Sequence, residues 1–416
     1  MHTSHQHLQA SNQKKEGMTS ALAWVIAVCS GLSVANIYYA QPLLDSIALE
    51  FGLSTASIGS VITVTQICYA LGLLLLVPLG DIVDRRKLII IQMLFSALAL
   101  IFAAASDSYP ILLIGLAIVG LLAVITQTFV AYAAHLSADS ERGTMVGRVT
   151  SGIVIGILLA RTVAGSMNDW LGWRSVYLLS ASLTLISILV LIRILPHRPV
   201  TDNKISYFQL LGSTLRLYTS LRVLRVRGLL AMLIFMAFSI LWTAMVLPLS
   251  APPLSLSHTF IGAFGLAGAA GALAAAKAGK QADRGYGQVT TGVSLVILIL
   301  SWIPIGLLHT SLWFLILGVI LLDLAVQAVH VTNQSLIYQV RPEAQSRLTA
   351  SYMIFYSIGS AVGSITSTHV YAWSGWTGVC WLGAAVSTAA LLLWIVDRQF
   401  DRSLQSRVNH NHRNNM

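Results

Sequence analysis

One apolar stretch of the 416-residue chain carries a polar stripe made of Asp323, Gln327, His330 and Gln334. At about 100° per residue, the spacings i, i+4, i+7 and i+11 place all four within an arc of roughly 60° on one helix face. An aspartate in such a setting can take up and release a proton, and a histidine seven residues on can tune that exchange. A second charge, Arg161, stands alone in another apolar run. Gln127, four residues beyond Leu122-Ala123, occupies a place equivalent to Gln327 in an earlier run, and Asn36 and Trp242 add polar atoms to two more. Their chemistry is that of a lined binding site: Asp323, Arg161 and His330 for proton coupling, Asn36, Gln127, Trp242, Gln327 and Gln334 for substrate contact. The plainer account is interhelical hydrogen bonding, worth about 0.6 kcal/mol per contact.

These residues need elements that span a bilayer. Charged residues make up 10% of the chain and AVILMFWYC residues 56%, with a mean hydropathy of +0.77. The apolar residues come in twelve blocks, near 21–41, 58–79, 88–106, 110–134, 147–168, 175–195, 228–249, 258–278, 289–308, 312–337, 348–371 and 378–396. Each is close to the roughly 20 residues a helix needs to cross about 30 Å of hydrocarbon. The blocks lack the alternation of barrel strands. Under this scheme Arg161 and Asp323 are the acid and base side chains deep in the bilayer, His330 aside. Each costs about 2.5–3.5 kcal/mol at a helix centre, so each needs a partner or a wet cavity. Both fall slightly to the outer side of centre, where they are placed to pair across the molecule.

Lys and Arg fall alternately between the blocks. Of 25, 23 lie on one side, with Arg161 and Arg174 elsewhere. The positive-inside rule therefore places both termini in the cytoplasm. The net charge of +10 is thereby a topology signal, and nucleic acid binding is excluded. Residues 1–20 read as a His-rich cytoplasmic tail without a cleavable signal, and 397–416 as a second tail. Cys29, Cys68 and Cys380 all lie in apolar runs, so neither a disulfide framework nor a metal site is expected, and no cofactor is implied.

The chain also repeats itself. Gly80-Asp81-Ile82-Val83-Asp84-Arg85-Arg86-Lys87 is matched by Gly279-Lys280-Gln281-Ala282-Asp283-Arg284-Gly285-Tyr286-Gly287, 199 residues on. Leu121–Gln127 recurs as Leu321–Gln327 at a spacing of 200, and Ile155-Gly156 and Gly172-Trp173 recur as Ile358-Gly359 and Gly375-Trp376 at 203. Two related halves follow, 21–195 and 228–396, joined by a polar linker at 196–227. Within the linker, Tyr207, Phe208, Leu210, Leu211 and Leu215 outline an amphipathic surface helix.

With these motifs the chain resembles the major facilitator superfamily over nearly its whole length. The family's turn, Gly-x-x-x-Asp-Arg-x-Gly-Arg/Lys, is kept at Gly279, Asp283 and Arg284; the first copy keeps Gly80, Asp84 and Arg85 but lacks the later glycine. The resemblance implies an all-α membrane protein of twelve transmembrane helices in two pseudo-symmetric six-helix bundles, with spans one, four, seven and ten around a central cavity. Charges at such a tight cytoplasmic turn can pair with the opposite bundle in one conformation only, so Gly80, Asp81, Asp84 and Arg85, with Gly279, Asp283 and Arg284, are expected to act as gates; the plainer account is that the basic residues fix topology. In span five, Gly147-x8-Gly156-x3-Ala160-Arg161-x2-Ala164-Gly165 is similar to the motif of the drug/proton antiporter branch, with Ala160-Arg161 where that motif has Gly-Pro. Asn36-Ile37-Tyr38-Tyr39-Ala40-Gln41-Pro42 is similar to bacterial efflux-type members, and Tyr38 and Tyr39 read as an interfacial aromatic belt.

The expectation is a monomeric secondary active transporter in the bacterial inner membrane, exporting a small organic compound by alternating access and coupled to protons. The alternative is a uniporter or importer of a sugar-like or anionic metabolite that Arg161 binds directly. A non-transporting receptor or an enzyme would want a soluble domain or a catalytic cluster, and no Walker-type loop points to ATP.

Overall fold

The computed structural model describes residues 18–137, 141–196, 206–274, 278, 281–340 and 345–414, and these are helical almost throughout. Ten described segments are long and apolar enough to cross a membrane. Two observations reconcile them with twelve spans. The segment Arg347–Phe400 holds two, because its helix breaks at Gly375 (φ 61°, ψ −159°). His258–Ala274, at 17 described residues, is short but apolar.

Spans one to six are Ser20–Tyr38, Ser60–Leu75 (preceded by a turn at Thr55–Ile58), Arg85–Ala104, Tyr109–Leu122 continued by Ile125–Leu136, Arg142–Leu171 and Trp173–Ile194. Spans seven to ten are Arg222–Ala244, His258–Ala274, Gly287–Gly306 and Leu312–Val340; eleven and twelve share Gln345–Asn414. Helix is the form that satisfies every backbone N–H and C=O within one segment, which hydrocarbon requires.

Turn chemistry marks the duplication. Gly172 (φ 78°) and Gly375 both take the left-handed region, which a side chain strains against, at the five–six and eleven–twelve corners. Each is followed by a buried indole: Trp173 Nε1 donates to Glu50 Oε2 at 2.6 Å, and Trp376 Nε1 to the Ile305 carbonyl at 3.0 Å. The charged turns diverge. In the first, Asp84 accepts the backbone N–H of Arg86 at 2.8 Å and of Lys87 at 3.4 Å, capping span three. In the second, Gly285 (φ 88°) stands where the first has Arg86 and takes a left-handed kink.

Packing repeats as well. Span one lies against five, three against six and two against four; seven lies against eleven, nine against twelve and eight against ten. The halves meet where five packs on eight and two on eleven. With no hydrophobic drive between helices in lipid, close backbone approach at small residues sets these contacts. A Cβ on Gly156 would stand 2.2 Å from the Gly31 carbonyl oxygen, and one on Gly359 would stand 2.0 Å from that of Met232. Gly156→Val should therefore cost about 1–3 kcal/mol by overpacking and lower the melting temperature of purified protein. Gly147, with nothing within 4 Å, is the control and should tolerate valine. Equal melting of the two variants would show that the span one–five contact does not set stability.

The linker forms a helix at Tyr207–Ser220, which lies on the protein. Leu210, Thr214 and Leu217 are buried, Tyr207 Oη donates to the Leu75 carbonyl at 2.9 Å and Tyr218 Oη to that of Ser351 at 2.9 Å. The amphipathic pattern is thus partly a docking face across both halves.

Candidate functional site

Span one ends at Tyr38, and the chain runs on through a single 3₁₀ turn, Gln41–Leu43, in which Gln41 is buried against span five. Its Oε1 accepts from Arg161 Nε at 2.8 Å. The Arg161 guanidinium, 2% exposed, lies over three rings: Trp242 at 3.9 Å from the centroid, Tyr38 at 5.1 Å and Phe238 at 5.5 Å. Such stacking is worth about 2 kcal/mol when desolvated. On its other side Trp242 donates its indole N–H to Asp323 Oδ1 at 3.2 Å, and Asp323 is 4% exposed.

The structure thus brings Arg161, Trp242 and Asp323 together, but with Trp242 in between. No Arg161–Asp323 ion pair within 4.0 Å occurs among the described residues, which corrects the direct pairing expected from depth alone. One guanidinium nitrogen, Nη2, is buried with no hydrogen-bond partner.

Span eight makes this arrangement possible, and the sequence reading missed it. Gly262, Gly265, Gly268 and Gly271 recur every third residue. A Cβ on Gly262 would lie 2.4 Å from the Arg161 carbonyl oxygen; one on Gly265 would lie 3.3 Å from Arg161 Cβ; one on Gly268 would lie 2.1 Å from Asp323 Oδ2. Gly262 and Gly265 bare the side toward span five, and Gly268 and Gly271 the side toward span ten, so both helices approach span eight closely.

Toward the end of the molecule that bears Arg85 and Arg347, an aromatic layer follows. Tyr38 and Tyr356 share a hydroxyl–hydroxyl bond of 2.5 Å across the two halves, and Phe235 packs on the Tyr356 ring at 4.2 Å. Tyr38 and Tyr39 are each 5% exposed and packed inside the protein, so the belt assignment is overturned. His330 lies deeper in the second half, with Nδ1 3.0 Å from Tyr352 Oη and its ring edge-on to Phe235. Tyr352 in turn reaches Asn333, which accepts from Arg227 Nη1 at 3.3 Å. Arg227 is buried at 4% exposure, so a third charge joins Arg161 and Asp323 inside the helices. Counting it among the topology-setting basics had hidden it.

The other predicted residues disperse. Asn36 Oδ1 accepts from Ser180 Oγ at 2.6 Å, a contact inside the first half. Gln327 and Gln334 are half-buried on span ten. Gln127 lines a crevice between the halves together with Gly80, Arg85, Thr214 and Arg347. Arg85 donates from Nε to the Gly80 carbonyl at 2.7 Å and from Nη1 to that of Ala131 at 3.1 Å. The side chain of Asp81 and that of Asp283 lie outside the described residues, as does Gly279 altogether; Arg284 is exposed.

At the opposite end a polar cluster joins the halves, and nothing in the sequence pattern announced it. His258 opens span eight between two carboxylates of the first half: Asp45, 2.9 Å from Nε2, and Asp169, 2.9 Å from Nδ1. Asp169 also accepts the backbone N–H of His258 at 3.0 Å and of Thr259 at 2.7 Å. A side chain at the end of span five therefore supplies the N-terminal cap of span eight, across the seam.

Comparison with known proteins places this geometry. The family model described as Major Facilitator Superfamily matches residues 23–287 and 227–414. The chain is 46% identical over 377 residues to the putative uncharacterized transporter YgaY of Escherichia coli (strain K12), covering 91% of this chain and 95% of that one. It is 26% identical to the inner membrane transport protein YnfM of the same strain, covering 97% of each. Among solved structures, a bacterial homolog of the human lysosomal transporter Spinster, inward-facing and occupied, superposes with a TM-score of 0.75 over 91% of this chain and 97% of that one, at 13% identity, and so shares the fold. Twelve helices in two repeated bundles have their explanation there: the chain belongs to the Major Facilitator Superfamily and is a multi-pass membrane transporter rather than an enzyme.

Proposed function

We propose that this protein is a proton-coupled secondary transporter of the bacterial inner membrane, with both termini in the cytoplasm, that exports a small organic compound by alternating access. The observation that carries the reading is Asp323, a buried carboxylate held by Trp242 of a neighbouring helix at the meeting of the two bundles. A carboxylate so placed costs several kcal/mol unless it is paired, hydrogen-bonded or protonated. Protonation removes the charge and weakens the charge-assisted bond to the indole, so the two protonation states favour different packings of Trp242. Since Trp242 also carries the Arg161 guanidinium, the difference is passed to the contact between bundles. A ligand or proton shifts a conformational equilibrium only by such differential interaction.

The gates follow from where the seam is bonded. The His258–Asp45–Asp169 cluster closes the outer end; the crevice with Gln127, Gly80 and Arg85 lies at the inner end, braced by the linker helix. The substrate is found first, by growth of overexpressing and deleted strains across a compound panel. In vesicles, an imposed pH gradient should then drive uphill movement of that compound. Asp323→Asn should abolish the gradient-driven component and leave counterflow. Uphill transport retained by Asp323→Asn would end the assignment of Asp323 as the proton site.

A further inference from the structure

Arg161 holds more hydrogen-bonding capacity than the protein around it uses. Its guanidinium offers five N–H donors in a fixed plane. Gln41 takes the one on Nε, whereas Nη2 is buried without a partner. Burial without a bond is costly for a charged donor, and more than nine in ten buried polar groups avoid it. Asp323, the nearest candidate by charge, is engaged by Trp242 instead. The contacts also divide by half. Gln41 and Tyr38 belong to the same half as Arg161, so they stay with it when the bundles part. Trp242 and Phe238 belong to the other half and leave. What the opened site then presents is a positioned guanidinium with unused donors, one ring at its side, and a face from which an indole has withdrawn.

From this we infer that Arg161 is the recognition site for an organic anion: a compound whose carboxylate, or similar planar anionic group, takes the Nη2 donor. Its flat aromatic or unsaturated body takes over the guanidinium face that Trp242 covers in the closed seam. Carboxylate on guanidinium is the charge-assisted match that a planar fork favours. Ring on guanidinium repeats the cation–π contact already present at 3.9 Å. The inference rests on the transporter reading for its setting and adds the class of substrate.

The test pairs acids with their neutral amides on the purified full-length chain: benzoate and benzamide, 1-naphthoate and 1-naphthamide, indole-3-acetate and indole-3-acetamide. At least one acid should bind at least tenfold more tightly than its amide by calorimetry, the size expected of a charged hydrogen bond. Arg161→Gln should erase that preference. Gln41→Glu, which sets an internal carboxylate against the same guanidinium without changing shape, should erase it too, and serves should Arg161→Gln not fold. Gly147→Ala, in open space, should keep it. Equal binding of every acid and amide, or a preference that survives in folded Arg161→Gln or in Gln41→Glu, would overturn the anion site. Vesicle transport separates the two readings. Acid binding without gradient-driven movement refutes the proton-coupled transporter and leaves the anion site standing. Gradient-driven movement of neutral compounds alone does the reverse.

Discussion

Gly268→Ala should abolish gradient-driven transport while leaving the protein folded and inserted. In an ordinary helix interior this change is favourable by up to about 1 kcal/mol, because alanine loses less backbone freedom than glycine. Here the added methyl would sit 2.1 Å from Asp323 Oδ2 and 3.0 Å from Trp242 Cζ2. Neither neighbour is free to give way, since Asp323 holds the indole N–H and the indole holds Arg161. Asp323 must turn, and the bond to Trp242 goes with it. The expected result is a loss of at least tenfold in uphill transport rate, with a melting temperature within a few degrees of wild type; a misplacement of about 1 Å at a working site costs on the order of 10²-fold. Gly147→Ala, in open space, should transport normally. Wild-type uphill transport by Gly268→Ala would show that the Asp323–Trp242 contact is not part of the coupling.

Asp169→Ala should open the end of the molecule that His258 closes. One carboxylate there accepts two backbone N–H groups of span eight and one ring nitrogen, all across the seam. The first turn of a helix has orphan donors and a partial positive charge, so an acidic side chain belongs there, and it need not come from the same bundle. Losing a cap costs about 1 kcal/mol, and the charge at a partly buried helix terminus adds up to about 2. A bias of about 1–3 kcal/mol between two states changes their ratio roughly 5–150-fold. Spin labels at Leu49 and Trp373, exposed on opposite halves, report this as a distance distribution once the three cysteines are replaced by alanine. The variant should gain a long-distance population that wild type lacks. An unchanged distribution would remove the cluster from the list of gates, and Asp45→Ala, which leaves the backbone caps in place, should give a smaller shift.

The two variants probe one cycle at different points. Around Gly268 the seam is tight because three helices meet on a bare backbone; at His258 it is held by charge and capping. Polar contacts between spans two and eleven complete the closure at that end. Thr63 Oγ1 donates to the Ala361 carbonyl at 3.0 Å, and Thr368 Oγ1 to that of Ala56 at 3.1 Å. In lipid such bonds average about 0.6 kcal/mol each, weak enough to break in turn in the proposed rocking of the bundles.

Reading residues in order was enough for the spans, the duplication and the two costly charges. The bilayer makes this possible: it demands apolar segments of set length, and it makes an acid or base inside them too expensive to be incidental. Arg161 and Asp323 stood out on that ground, and Gly172-Trp173 and Gly375-Trp376 betrayed the repeat because both need the same left-handed corner. Who touches whom was decided elsewhere. Depth along a span put Arg161 and Asp323 at one level, but only the packing set Trp242 between them and brought Gln41 round a 3₁₀ turn to Nε. Tyr38 became a seam residue where composition suggested a belt, and Arg227 a buried charge where the positive-inside count saw a loop. His258, Asp45 and Asp169 are three unremarkable loop-end residues until spans five and eight meet. The physical reason is common to all of these. Hydropathy depends on each residue alone, whereas a helix face acquires its partner from backbone approach at glycines scattered over other spans, and that is a property of the assembled bundle.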